Sequence, residues 1–340
     1  MKKFLTILLT GALALSLSAC GSKTDTDTTV SPTSSSEATQ VTPEAQEVPD
    51  TVTLDTYNGA GEKAAITFPF HPERLAVMDL AALDILDTIG CGDKVIGVSK
   101  STSIDYLQKY VTNDDLFNLG TIKEVNMEAL MECEPDVIFI GGRLSNMYDE
   151  LSKIAPVYMV KTDIETGVIE STLRNAQNIA SLFGLQDSVA NLMSNYTSRI
   201  EALKAFAKGK TSIVGMVNAG GFGLLGNDGR CSIIGNEIGF ENIGIAASID
   251  TSAHGNEASF EFVVDKNPDY IFAMDRDAAI GTEGAKLAAE VLDNELINMT
   301  SAAKNGNVIV LEHSNIWYTA EGGIKALDIM LSDLENTLLK

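Results

Sequence analysis

Between Asp187 and Lys208 the apolar residues Val189, Leu192, Met193, Tyr196, Ile200, Leu203 and Phe206 recur mostly at steps of three and four, with no Gly or Pro among them. That period predicts one unbroken amphipathic helix over 187–208, about 33 Å long at 1.5 Å per residue. Asp187 stands where an N-cap belongs, and Lys204, Lys208 and Lys210 gather at the helix's negative end. Gly184 and Gly209 bound the segment.

The chain repeats itself on either side of this helix. MEALMECEPDVIFIGGR runs from Met127 to Arg143, and FEFVVDKNPDYIFAMDR from Phe260 to Arg276. Glu128 and Glu261, Pro135-Asp136 and Pro268-Asp269, Ile138-Phe139 and Ile271-Phe272, and Arg143 and Arg276 fall in register without a gap. Each copy reads as a helix end, a turn, and a fully apolar strand with Arg just past its carboxyl end. Two related lobes are expected, each aiming an arginine at the edge where open α/β sheets bind ligands.

The remaining pattern alternates short apolar runs with helical periods. Strands are expected at 51–61, 64–68, 75–78, 95–98, 157–160, 211–217 and 308–311. Helices are expected at 81–89, 106–111, 148–154, 168–183, 232–239, 284–294 and 324–339. This is an α/β fold of two related lobes with largely parallel sheets joined by one long connecting helix. The expected divisions are 52–186 for the first lobe, 187–208 for the helix and 209–340 for the second lobe.

The first fifty residues differ in kind. Residues 1–20 carry Lys2 and Lys3, an apolar core from Phe4 to Leu17, and Leu17-Ser18-Ala19-Cys20, the layout of a secretion signal. Residues 21–51 are Ser, Thr, Asp, Glu and Pro with little to bury, as in a disordered tether. The formal charge is −23, which argues against nucleic acid and against adhesion to anionic lipid. Besides Cys20 the cysteines are Cys91, Cys133 and Cys231, odd in number and widely spaced. That spacing suggests neither a disulfide framework nor a thiolate metal site.

Leu-Ser-Ala-Cys before Gly21 resembles a bacterial lipobox, which implies lipidation of Cys20 and anchorage on the outer face of the cell membrane. Further stretches sharpen a resemblance: PERLAVMD from Pro72, IGGR from Ile140, YDELSKIAP from Tyr148, AHG from Ala253 and IWY from Ile316. In this order and spacing they resemble the iron-siderophore and cobalamin class of ABC-transporter substrate-binding lipoproteins, in the catecholate branch that includes the petrobactin binders. The resemblance covers essentially all of the folded part. It implies the helical-backbone periplasmic-binding-protein fold and a monomer without enzymatic activity or intrinsic cofactor. Its partners would be an Fe(III)-siderophore and the transmembrane subunits of an ABC permease.

The chain has only six arginines, at 74, 143, 174, 199, 230 and 276. Arg143, Arg230 and Arg276 fall on the family's binding positions, and Lys123 on a basic loop position. Guanidinium keeps its charge and offers a fixed fork of donors, which suits an acceptor-only catecholate dianion. The family's side-chain iron ligands match His254 and Tyr318, imidazole nitrogen and phenolate oxygen both being suited to Fe³⁺. Trp317, the only tryptophan, is expected beside the ligand. Cys231 departs from the aromatic residue expected after Arg230. Glu150 and Glu283 each lie seven residues past a repeated arginine and could dock on a two-fold permease.

Two other readings stay open. Haem, cobalamin or a bare metal ion is one, although three scattered histidines suit a bare-metal site poorly. A lipid-anchored α/β enzyme is the other, although no nucleophile–base pair or phosphate loop stands out.

Overall fold

The structure is a computed structural model and describes residues 49–245, 256–257 and 260–340. An antiparallel hairpin, β1 (Thr51–Tyr57) and β2 (Lys63–Pro69), opens the folded part. The first lobe surrounds a wholly parallel sheet in the order β5-β4-β3-β6-β7. Its strands are β3 (Leu75–Val77), β4 (Val95–Val98), β5 (Phe117–Asn118), β6 (Val137–Gly141) and β7 (Val157–Val160). The second sheet has the order β11-β9-β8-β12-β13, with β10 alongside β8. Its strands are β8 (Thr211–Asn218), β9 (Gly221–Leu224), β10 (Glu241–Asn242), β11 (Asn256–Glu257), β12 (Tyr270–Asp275) and β13 (Val308–Val310).

The sequence repeat is a structural repeat. β6 lies between β3 and β7, and β12 between β8 and β13, all parallel. Covered on both faces, β6 from Val137 to Ile140 and the whole of β12 are buried, which is why both read as continuous apolar runs. The repeated aspartates do equivalent work. Asp136 Oδ2 accepts the amides of Glu73 and Arg74 at 2.8 and 2.9 Å, at the start of β3. Asp269 Oδ2 accepts the amide of Thr211 at 2.9 Å, at the start of β8.

The lobes differ on the far side of the repeat. β4 runs parallel to β3, whereas β9 folds straight back as an antiparallel partner of β8. The glycine-rich stretch from Gly220 hides this strand from a sequence reading. A Cβ on Gly215 of β8 would lie 2.3 Å from the ring of Phe222 on β9, so glycine there lets the aromatic ring lie across the sheet.

The connecting segment corrects the expectation of one unbroken helix over 187–208. It is two helices, Gln186–Leu192 and Tyr196–Ala207, separated by a turn at 193–195. No Gly or Pro breaks it. Ser194 Oγ donates to the carbonyl of Asn191 at 2.9 Å and Ser198 Oγ to that of Asn195 at 2.8 Å, while the amide of Tyr196 turns back to Met193 at 3.1 Å. Small polar side chains that bond nearby carbonyls compete with the helical ladder. The second half is held against the C-terminal helix Ile324–Leu338. There Tyr196 donates to the carbonyl of Ile324 at 2.9 Å, and Arg199 forks onto Glu335 at 2.8 and 2.7 Å.

Cys91, Cys133 and Cys231 are free and buried. Among the described residues no helix is long and apolar enough to cross a membrane.

Candidate functional site

A cleft of about 350 Å³ opens between the two sheets at the carboxyl ends of their strands. The first lobe lines it with Ser101–Ser103 after β4, Thr121–Lys123 after β5 and Arg143 after β6, together with Leu80. The second lobe contributes Ala278–Gly281, a few residues past β12, with Tyr318 and Thr319. Leu80 and Ile122 from the first lobe and Ile280 from the second add apolar lining, and the cations Arg143 and Lys123 stand among the other lining residues.

Tyr318 organises the polar side. It belongs to the short helix Ser314–Thr319, and its carbonyl is one of the terminal acceptors a helix leaves without an internal partner. Arg143 Nη2 donates to that carbonyl at 3.2 Å from one lobe, and Arg230 Nε at 3.1 Å from the other. Arg276 Nε donates to the phenol oxygen at 3.3 Å. The three guanidinium carbons lie 5.6, 4.6 and 5.8 Å from the centre of the tyrosine ring, within cation–π range.

The local chain explains these positions. Arg276 is oriented by Asn218, the last residue of β8, whose Oδ1 accepts from its Nη1 at 2.9 Å. Buried Asp277 adds an ion pair at 3.4 Å while its other oxygen holds the amide of Ala219 at 2.6 Å. Arg230 precedes Cys231, whose backbone is left-handed at φ 63° and whose thiol is buried. The Cys231 amide donates to Glu321 Oε2 at 3.3 Å. Cys231 thus turns its side chain into the core and its neighbour toward Tyr318.

This concentration of positive charge alters titration. Burial, then the charge of Arg143, lowers the pKa of Arg230. Burial alone would raise the phenol of Tyr318, but the Arg276 hydrogen bond and the charges of Arg230, Arg276 and Arg143 together hold it below its usual 10.0. Desolvation raises the carboxyl of Glu321 to about 7, against the lowering effects of the Cys231 amide and the Arg230 charge. Among the described residues no carboxylate lies within ion-pair distance of Arg143. Its acidic neighbour Asp79 is engaged in capping the helix Leu80–Thr88, through Ala82 at 3.0 Å, and burial raises its pKa.

The structure therefore brings Arg143, Arg230, Arg276 and Tyr318 into one cluster, of which Arg143 and Tyr318 line the cleft together with Lys123, while Arg230 and Arg276 join it through Tyr318. It does not bring Trp317 there. The indole is fully buried and donates to Asp333 Oδ2 on the C-terminal helix at 2.9 Å. Successive residues of a helix point about 100° apart, so Tyr318 faces the cleft and its neighbour faces the core. Glu150 and Glu283 are exposed, outside the cleft. His254 and Cys20 lie outside the described residues. Sequence reasoning missed Asn218, Asp277 and Ser103. The position of Asn218 at the end of a strand beside β12 was the available signal for the first of these.

Comparison with known proteins decides the class. The family model described as periplasmic binding protein matches residues 75–314. The chain belongs to the periplasmic binding protein family. It is 31% identical over 347 residues to the petrobactin-binding protein YclQ of Bacillus subtilis, covering 100% of both chains. It is 28% identical to the ferric-anguibactin-binding protein FatB of Vibrio anguillarum, covering 78% of this chain and 82% of that one. The crystal structure of YclQ superposes with a TM-score of 0.78, covering 86% of this chain and 100% of that one. The catecholate-siderophore-binding protein VctP of Vibrio cholerae gives 0.76 at 30% identity, covering 84% and 100%. As a periplasmic binding protein the chain is a substrate-binding protein and not an enzyme, on the helical-backbone fold its sequence resembles.

Proposed function

We propose that this protein captures ferric catecholate-type siderophores in the interlobe cleft and delivers them to an ABC importer. The observation that carries the reading is the convergence of Arg143, Arg230 and Arg276 on Tyr318. A ferric bis- or tris-catecholate keeps net negative charge and presents only acceptor oxygens, and fixed guanidinium forks neutralise and orient such a ligand. The apolar lining from Leu80, Ile122 and Ile280 suits the ring faces and linkers of the same molecule. Likeness to a petrobactin binder over the full chain and to a catecholate-siderophore binder supports this choice of ligand.

Within this reading Lys123 adds charge at the cleft mouth. Tyr318 and His254 complete the iron shell when a tetradentate bis-catecholate leaves two of six positions open. Lipidated Cys20 anchors the protein outside the cell membrane, and Glu150 and Glu283 meet the permease. Calorimetric titration with ferric petrobactin, a ferric tris-catecholate and a neutral ferric tris-hydroxamate tests the proposal. The first two should bind and the third only weakly. Equal affinity for all three would refute an anion-selective cleft.

A further inference from the structure

Beneath the cleft, each lobe reaches across with one carboxylate to cap a helix of the other. Asp84 sits in the helix Leu80–Thr88, one turn below the cleft residue Leu80, and is fully buried. Its Oδ1 accepts the amide of Lys325 at 2.9 Å and its Oδ2 that of Ala326 at 2.8 Å, at the first turn of the C-terminal helix. In the opposite direction, Glu237 of the second lobe uses Oε1 to accept the amides of Val168 and Ile169, the latter at 3.4 Å. Those amides open the first-lobe helix Gly167–Ser181.

A glycine makes room at both places. A Cβ on Gly323 would stand 2.6 Å from the Asp84 carboxyl, and one on Gly167 would stand 2.5 Å from Glu237 Oε1. Four free amides begin every helix, and a carboxylate placed there accepts two of them and complements the helix dipole.

Asp84 is also tied to both walls of the cleft. Tyr106, just after the lining loop Ser101–Ser103, donates to its Oδ2 at 2.6 Å. The segment it caps leads back through Gly323 and Gly322 to Tyr318. A Cβ on Gly322 would lie 3.6 Å from the side chain of Ala81 in the first lobe, so this segment already touches the opposite lobe. We infer that Asp84 is a positioning residue whose interlobe cap sets the spacing of the two cleft walls, with Glu237 as a weaker counterpart. The inequality follows from the donors. Thr88 Oγ1 adds a further bond at 3.3 Å, so both oxygens of Asp84 are engaged, whereas Glu237 Oε2 is buried without a partner among the described residues.

The isosteric amides separate the two. In Asp84→Asn one interlobe amide must face an NH₂ group, whichever way the side chain flips. In Glu237→Gln the carbonyl replaces Oε1 and the NH₂ takes the unused place. Spin labels on the exposed positions Lys153→Cys and Asn298→Cys report the separation of the lobes without ligand. The parent protein and Glu237→Gln should share one narrow distance distribution. Asp84→Asn should broaden and lengthen it with its circular dichroism intact, and should release ferric petrobactin at least tenfold faster. Gly323→Ala, which displaces the same carboxylate, serves if Asp84→Asn does not fold. A parent-like distribution in the folded Asp84→Asn protein, or in Gly323→Ala where that one is used, overturns the inference. The distance measurement uses no ligand, so failure of ferric petrobactin to bind the parent bears on the ligand assignment alone.

Discussion

Arg143 of the first lobe donates to the carbonyl of Tyr318 in the second, 175 residues later in the chain. This bond joins the two lobes across the cleft. The same carbonyl takes Arg230, so the cations are arranged around one tyrosine before any anion arrives. An anion entering the cleft would meet Arg143 already oriented, with Arg230 and Arg276 fixed on the same tyrosine, so the cost of ordering these side chains has been met in folding.

Truncating any of the three arginines should weaken ferric-catecholate binding by roughly 1.5–3 kcal/mol, the range for charged hydrogen bonds. Arg143→Ala, Arg230→Ala and Arg276→Ala, titrated by calorimetry, check this. Lys123→Ala should cost less, because a flexible ammonium is a point charge without a fixed fork.

Tyr318 should ionise below the usual tyrosine range, because three guanidiniums outweigh the effect of its burial. Following tyrosinate absorbance against pH, in the parent and in Tyr318→Phe, isolates that one phenol. Arg276→Ala should return its titration toward the ordinary value. With a bound ferric bis-catecholate, the charge-transfer band should shift in the parent and not in the Tyr318→Phe, His254→Ala double variant.

Stability should fall as pH rises from about 4.5 toward 7, through the titration of Glu321. Its folded pKa of about 7 lies above the ordinary 4.5, so the folded state holds the proton more tightly. The stabilisation is complete below the unfolded value and lost as pH passes the folded one. Glu321→Gln should flatten this part of the curve in urea unfolding series at successive pH values. A slope identical to the parent's would assign it elsewhere.

Reversing Glu150 and Glu283 to Lys should leave siderophore affinity within about twofold, since both are exposed and neither lines the cleft. Uptake by cells should be abolished. Paired binding and uptake assays on the double variant check both halves, and normal uptake would refute the docking role.

Much of this arrangement is legible in the sequence where local pattern and tertiary role coincide. β4 and β7 match their apolar runs at both ends, because strands buried on both faces have no polar positions to blur them. Arg143 and Arg276 stand out because duplication places them at equivalent strand ends. Other features depend on contacts that no period announces. At the turn 193–195 Ser194 and Ser198 bond carbonyls three residues back, contacts that their helical spacing does not announce. Trp317 and Tyr318 are neighbours in sequence, and only the docking of their helix sends one to Asp333 and the other to the cleft. Asp84 reads as one polar residue in an apolar helix until the C-terminal helix is seen resting on it.

The cations of the cleft are recessed in a protein whose formal charge is −23. At low salt, where the Debye length is roughly 30 Å at 0.01 M, an anionic chelate approaching the surface therefore meets repulsion, and it meets attraction only close to the cleft. Capture then resembles crossing a low electrostatic ridge into a well. Added salt lowers the ridge before it weakens the well, because contacts between the lobes are screened less than the open surface. Association should quicken as salt rises from very low levels while dissociation hardly changes, the reverse of the salt dependence expected from a uniformly basic binding face.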